Sequence, residues 1–407
     1  MSIKRFKDPF FPNRPVQDPD YFEGRSGQVE EIINAFYQTM QGNPRHFIIT
    51  GDRGIGKSSL LVQTEKIGKG DNTLAQKFNI ENGVDKFDFV CCWVDAVDKQ
   101  TVENLAEILL KNLQSTFNRF FGGLKFEIDL GGFVQIANKD KEEKSIADTV
   151  SIFCEQLRNA HEKIAKKGQH GIILFIDELD KMQVDTGIAT FFKLVTEKLA
   201  REGLNNILFA CSGITGSIQK LEDEHASIFR TFRDIPLPRF SKEESDEILV
   251  TGFTTVGFTF DKEVLEAVFA LSGGFPEPIH ILGSEILSVS EDDHICMKDF
   301  EKARKKVITE VRKNKLGDLL KKAGYGKYQL ILEAIALEKS TNVSLDVISK
   351  HLQQDANQFS TNIGTLLDKG ILVKIERGVY SFGDPLVKEY IKEFGVIKNE
   401  KIDGEEE

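Results

Sequence analysis

No stretch of the 407-residue chain approaches the roughly 18 consecutive apolar residues that a membrane-spanning helix needs. The start, Met1-Ser2-Ile3-Lys4-Arg5-Phe6, lacks the apolar segment of a secretory signal. Cysteine is scarce: Cys91, Cys92, Cys154, Cys211 and Cys296 are scattered, with no metal-ligand spacing. That excludes a cysteine metal site and fits a reducing cytoplasm. Three of the five sit in apolar, strand-like runs and read as small buried hydrophobes. Positive charge is in deficit, with 53 Lys and Arg against 64 Asp and Glu, a net charge of -11. No global field therefore draws the chain to nucleic acid or to an anionic membrane, and any DNA contact must come from a local patch. No internal repeat is evident, and the length suggests two or three domains.

What is present is more specific. Gly51-Asp52-Arg53-Gly54-Ile55-Gly56-Lys57-Ser58 matches the phosphate-binding loop pattern G-x-x-x-x-G-K-[ST] in full. A chain of this length matches it by chance with a probability on the order of 1%. His46 to Thr50 before it reads as a short buried strand, and the residues after it open a helical pattern. In that context backbone N–H groups and a helix N-terminus wrap a polyphosphate. Gly51, Gly54 and Gly56 let the backbone approach, Lys57 places a cation on the β- and γ-phosphates, and the Ser58 hydroxyl ligates Mg²⁺. The cofactors expected are thus ATP and Mg²⁺.

Downstream, Gly171 to Ile176 is an apolar run that ends in Asp177-Glu178. A fully buried parallel strand looks like this, with its polar residues at the ligand-binding carboxyl edge. Asp177 is expected to hold Mg²⁺, and Glu178 to orient and deprotonate the attacking water.

The remaining pattern is strand and helix in alternation as far as the strand Asn206–Ser212, which argues for a parallel, doubly wound sheet. From Ser241 it becomes helical, opening on a capping box, Ser241 with Glu244. A charged helix is expected from about Met297 to Lys322. Lys302 to Lys327 holds ten Lys or Arg and two acids, Glu310 and Asp318, and reads either as a solvated linker or as a phosphate-contacting stripe. Three helical patterns, Tyr328–Leu337, Leu345–Leu352 and Asn357–Leu367, then precede a hairpin turning at Arg377-Gly378. That is the order of a winged helix-turn-helix. The third helix offers Gln358, Ser360, Thr361, Asn362 and Thr365 but little charge, so duplex DNA and a protein both stand as partners.

The expected class is α/β: a P-loop NTPase parallel sheet with a helical lid and a C-terminal winged helix-turn-helix domain. The division is an extended arm (1–20), the ATPase domain (21–238), the lid (239–300), a basic linker helix (301–326), the winged helix (327–395) and an acidic tail (396–407). Lys57 and Asp177 lie 120 positions apart, more than a minimal core needs, so about 119–144, including a hairpin read over Phe120–Ile136, is expected to be an insertion.

These residues resemble the AAA+-type P-loop ATPases of the origin-recognition-like and STAND-like groups, over about residues 20–395. The resemblance is to prokaryotic "archaeal ATPase" or replication-initiator-like proteins with a C-terminal winged helix. Phe22-Glu23-Gly24-Arg25 is similar to the start of that family's F-x-G-R-x-x-E box beside the adenine, with Gln28 at its acidic position. The resemblance implies a sensor-1 role for Ser212, an arginine-finger role for Arg230 or Arg233, and an adenine contact for Pro276 in Gly273-Gly274-Phe275-Pro276. The residue after that proline is Glu277 where the family often carries a sensor-2 arginine; His280 is the nearest weak substitute. This departure favours switching over processive ring-motor action. The resemblance implies a cytoplasmic ATP-hydrolysing switch that binds ATP and ADP, and a homo-oligomer or a partner protein, with no membrane. Two functions are open: a DNA-associated ATPase (initiator, loader or transposition regulator), or a STAND-like signalling or defence switch that docks a protein. A non-hydrolysing scaffold is a third, against which Asp177-Glu178 argues.

Overall fold

The computed structural model describes residues 6–120, 145–182 and 186–396. The expected insertion beyond Phe120, its hairpin and the acidic tail from 397 onward lie outside them. The described residues divide into two compact units, one within 15–238 and one of 6–14 with 239–396.

The first unit is built on a five-stranded sheet: β1 (His46–Thr50), β2 (Phe89–Asp95), β3 (Gly171–Asp177), β4 (Ile207–Gly213) and β5 (Phe232–Pro236). The spatial order is β2-β3-β4-β1-β5, and every pairing is parallel. All residues of β1, β3 and β4 are buried. Helices cover both faces, so the strands read as continuous apolar runs with no polar alternation. The helix Lys57–Gly68 packs across β2, β3 and β4. The helices Val102–Phe120, Ile146–Ala165 and Ile188–Arg201 pack in succession, with Phe192 against Phe209 and Phe232 at ring centroids 5.2 and 4.9 Å apart. The segment that carries Arg230 and Arg233 runs into β5 at the sheet edge. There Pro236 is tolerated because its missing N–H leaves no ladder bond broken on the solvent side. His46 lies between Phe209 and Phe232, and its Nδ1 accepts from the Phe209 N–H at 3.0 Å. Burial pushes this imidazole down from 6.5 to about 4.

In the second unit the capping box is formed: the Glu244 N–H donates to Ser241 Oγ, and the Ser241 N–H to Glu244 Oε2. It opens the helix Lys242–Thr255, followed by Lys262–Ser272 and Pro276–Val289. Two-residue strands β6 (Thr259–Phe260) and β7 (His294–Ile295), which sequence pattern does not signal, pair in parallel. The expected continuous helix Met297–Lys322 is interrupted. It ends at Lys306, passes through a π-turn at Val307–Val311 closed by the Arg312 N–H on the Val307 carbonyl, and restarts at Lys313. Helices Lys327–Leu337, Leu345–Leu352 and Ser360–Asp368 follow, then β8 (Val343–Ser344, within that run), β9 (Leu372–Glu376) and β10 (Val379–Phe382) as a sheet of order β8-β10-β9, and a last helix, Leu386–Phe394. One apolar core runs through all of it, from Phe10 and Leu249 to Leu366 and Ile391. Among the described residues no helix is long and apolar enough to cross a membrane.

The arm is docked, not loose. Phe10 is buried and packs edge-on to Phe253 and His280. It occupies space that only glycine leaves: a Cβ at Gly283 would come within 2.5 Å of its ring, and one at Gly252 would overlap it. The Phe11 N–H donates to His280 Nδ1 at 3.4 Å, and burial holds that imidazole at about 4. His280 is therefore a neutral core residue between Phe10 and Phe11, which corrects its reading as a substitute sensor.

Truncating Phe10 to Ala is expected to cost about 3–5 kcal/mol of the second unit's stability; an unchanged urea midpoint would refute the docking. Both buried histidines have folded-state pKa values below the unfolded 6.5. The unfolded chain therefore binds protons that the folded chain refuses. Stability present above pH 6.5 is lost as the pH falls toward 4, by about 3 kcal/mol per histidine at the lower limit. Urea unfolding across that range checks this, and His46→Asn should flatten the slope.

Candidate functional site

The phosphate loop joins β1 to the helix Lys57–Gly68. Gly54 (φ 76°) and Gly56 (φ 99°) are left-handed, which side chains with a Cβ adopt at a cost. Ile55 at the loop's crown is buried and anchors it, and a Cβ at Gly51 would meet Ile55 Cγ2 at 2.8 Å. With those positions fixed, the N–H groups of the first turn face one concavity. Lys57 folds back onto the loop, donating to the carbonyls of Gly51 (2.8 Å) and Asp52 (2.9 Å). Burial lowers its pKa and Arg53 adds to this, while Asp180, Asp177 and Asp52 oppose it. Arg25, itself buried and left-handed, donates from Nη2 to the Ile55 carbonyl at 3.3 Å. It thus braces the loop from outside. Phe22 is buried near Phe78, and the neighbouring arm residue Val16 donates its N–H to Ser59 Oγ at 3.1 Å.

Strand order places β4 between β1 and β3, so the ends of all three meet at one edge. Asp177, 5% exposed, accepts there from the fully buried Ser212 hydroxyl and, at 2.9 Å, from the Glu178 N–H. That N–H also donates to Ser212 Oγ at 3.2 Å. A buried carboxylate without donors is costly, and this knot supplies them. Glu178 has φ 56°, a left-handed conformation uncommon for its type and frequent where function stores strain. Its carboxylate stands exposed and pairs with Lys181.

The other expected residues lie differently. Arg233 sits within β5, in register with Phe47 rather than with the loop end of β1, is exposed, and pairs with Glu31. Asp234, the next residue along, accepts from the Thr50 hydroxyl at 2.5 Å. Arg230 is exposed in a single 3₁₀ turn, Ile228–Arg230. Pro276 belongs to the second unit, where it starts its helix and is buried. Glu277 beside it is committed to Arg312 and, at 3.1 Å, Lys315. Burial pushes this carboxyl up, but Lys315 and Arg312 outweigh it and hold it below the usual range.

Two residues had no assigned role. Asp180 accepts from the Ile214 N–H at 3.0 Å, and the Thr215 hydroxyl donates to Asp52 Oδ1 at 3.1 Å. Asp180 was within reach of sequence reasoning, as the third carboxylate of Asp177-Glu178-Leu179-Asp180. Thr215 carried no signal.

Residues 21–204 match the profile of the AAA ATPase domain family. The match shows what this segment, under half of the chain, is similar to. The matched segment holds the phosphate loop and both carboxylates, and with them the chain is a P-loop ATPase. No curated protein matches the chain in sequence. Among solved structures, the Walker-type ATPase Paby2304 of Pyrococcus abyssi is 19% identical at a TM-score of 0.58, over 93% of this chain and 98% of that one. The ORC2 protein of Aeropyrum pernix, in its ADPNP-ADP complexes, is 11% identical at a TM-score of 0.56, over 95% and 97%. At these identities the likeness is one of fold, and the fold is that of AAA-type P-loop NTPases.

Ser212→Ala removes a donor from buried Asp177 and an acceptor from the Glu178 N–H. It should cost about 1–3 kcal/mol of stability, measured by urea unfolding of the nucleotide-free chain; a loss under 0.5 kcal/mol would show the knot to be dispensable.

Proposed function

We propose that the chain is a magnesium-dependent ATP-hydrolysing switch. The observation that carries this is the knot of Asp177, Ser212 and the Glu178 N–H at the strand edge that ends in the phosphate loop. Lys57 exchanges the Gly51 and Asp52 carbonyls for the β- and γ-phosphates of ATP, helped by the N–H groups of Gly51–Ser58. The Ser58 hydroxyl and the Asp177 carboxylate are hard oxygen donors of the kind Mg²⁺ takes beside substrate phosphates, and they would hold it. When bound, the ion neutralises charge on the phosphates. Glu178 leaves Lys181 to orient the attacking water and accept its proton. Ser212, already bonded beside both carboxylates, senses the γ-phosphate end. Phe22 and Arg25 flank the adenine side. Arg230 and Arg233, both exposed, would serve a neighbouring subunit as arginine fingers.

We read residues 239–300 as the lid and 327–395 as a winged helix. Glu277 in the lid bonds Arg312 and Lys315, so a change at the lid reaches the basic segment directly. The partner of the winged helix separates the two functional readings. Of the ten cations between Lys302 and Lys327, six pair with carboxylates: Lys302, Arg304, Lys306, Arg312, Lys315 and Lys321. Such compensation weakens a phosphate footprint. It favours the protein-docking switch over the DNA-associated ATPase.

Lys57→Ala is expected to remove nucleotide binding in calorimetry. Glu178→Gln should bind ATP and lose turnover by about 100-fold or more; retained turnover would sink the catalytic assignment. Turnover at low salt should be indifferent to duplex DNA. A several-fold, salt-sensitive stimulation would instead establish the DNA-associated reading.

A further inference from the structure

The turn after β4 is held from two sides by side chains to which the mechanism gives no role. From the β3 side, Asp180 Oδ1 accepts from the Ile214 N–H at 3.0 Å. From the phosphate-loop side, Asp52 Oδ1 accepts from the Thr215 hydroxyl at 3.1 Å. The Ile214 carbonyl in turn receives the Ser217 N–H at 2.9 Å, where the helix Ser217–Glu224 begins. Gly213 has no room for a side chain. A Cβ there would overlap the Ser217 hydroxyl and lie 3.8 Å from Asp180 Oδ1. The backbone at Gly213 is therefore closely packed, and Asp180 meets the turn at hydrogen-bond distance. Ser212, whose hydroxyl holds Asp177 and the Glu178 N–H, is two residues upstream of the Ile214 N–H that Asp180 grips.

We propose that Asp180 is a positioning residue for hydrolysis: through Ile214 and Thr215 it clamps the end of β4 to the phosphate loop, and so fixes Ser212 and Glu178 relative to Lys57. This rests on the roles proposed above for those three residues. Asp180 touches no reacting atom. It sets the separation between the group that receives the γ-phosphate and the group that activates water. A misplacement of about 1 Å at such a site costs on the order of 100-fold in rate, while binding contacts made elsewhere survive. The clamp therefore governs kcat, and the affinity for ADP is left to the phosphate loop itself.

The test is steady-state ATP turnover with ADP binding by calorimetry and thermal unfolding, on the full chain. The variants are Asp180→Ala, Asp180→Asn, Thr215→Val and the Asp180→Ala/Thr215→Val pair, with Glu178→Gln as control. Asp180→Ala should lower kcat by about 10- to 100-fold, with KM and ADP affinity within about twofold of wild type. Asn keeps an oxygen for the Ile214 N–H, so Asp180→Asn should recover most of that loss. The double variant should lose less than the product of the two single losses, because both act through one turn. An Asp180→Ala chain with wild-type kcat, an Asp180→Asn chain as slow as Asp180→Ala, or a parallel fall in kcat, ADP affinity and melting temperature would each overturn the proposal. If Glu178→Gln turns over like wild type, the underlying site assignment fails instead, whatever Asp180 does.

Discussion

A carboxylate at the end of a buried strand is costly unless it is given hydrogen-bond donors. Asp177 is that group, and the rest of the nucleotide site is arranged by its need. The Ser212 hydroxyl comes from the neighbouring strand and the Glu178 N–H from the next residue along. To present that N–H inward, Glu178 takes a left-handed conformation, and its side chain stands in solvent as a result. The residue proposed as the base is therefore aimed by the solvation of its neighbour. The parallel pairing of β3 with β4, and of β4 with β1, keeps this knot at the edge where the phosphate loop starts.

The second unit is organised around closely packed aromatic and ionic contacts. Phe10 replaces side chains that Gly252 and Gly283 lack, and His280 is kept neutral to accept from the arm's backbone. Glu277, Arg312 and Lys315 tie the helix that opens at Pro276 to the π-turn and the helix beyond it. Asp384, at the start of the last helix, lies 4.0 Å from Lys315, and burial raises its pKa. The cations that looked in sequence like a free basic stripe are for the most part the counter-charges of a folded body. Charge counts along a chain do not reveal this, because the carboxylates that compensate Lys302, Lys306 and Arg312 lie 11 to 35 residues earlier.

The nucleotide site was the most legible part. Its loop is contiguous, its strands are buried on both faces, and its motif residues lie within a few positions of one another. The hairpin at Arg377-Gly378 and the capping box at Ser241 were legible for the same local reason. What sequence pattern did not show depends on registers between distant segments. The position of Arg233 within β5 follows from pairing with β1, and the strands β6, β7 and β8 are too short to carry a period. The break at Val307–Val311 contains no glycine or proline to announce it. Thr215 meets Asp52 across 163 positions, and His280 meets Phe11 across 269.

That last separation bears on synthesis. Residues 6–14 leave a ribosome well before the helices that receive them, Lys242–Thr255 and Pro276–Val289, which come more than two hundred residues later. At typical elongation rates the interval is roughly 10–50 s, long against the microseconds in which helices and short loops form. Phe10 and Phe11 spend it without their native cover, while the whole nucleotide domain is made and free to fold. Closure of the second core is thus a late, long-range event. A chain whose 6–14 segment is bound elsewhere in the meantime would finish with two empty slots, at Gly252 and Gly283, where Phe10 belongs.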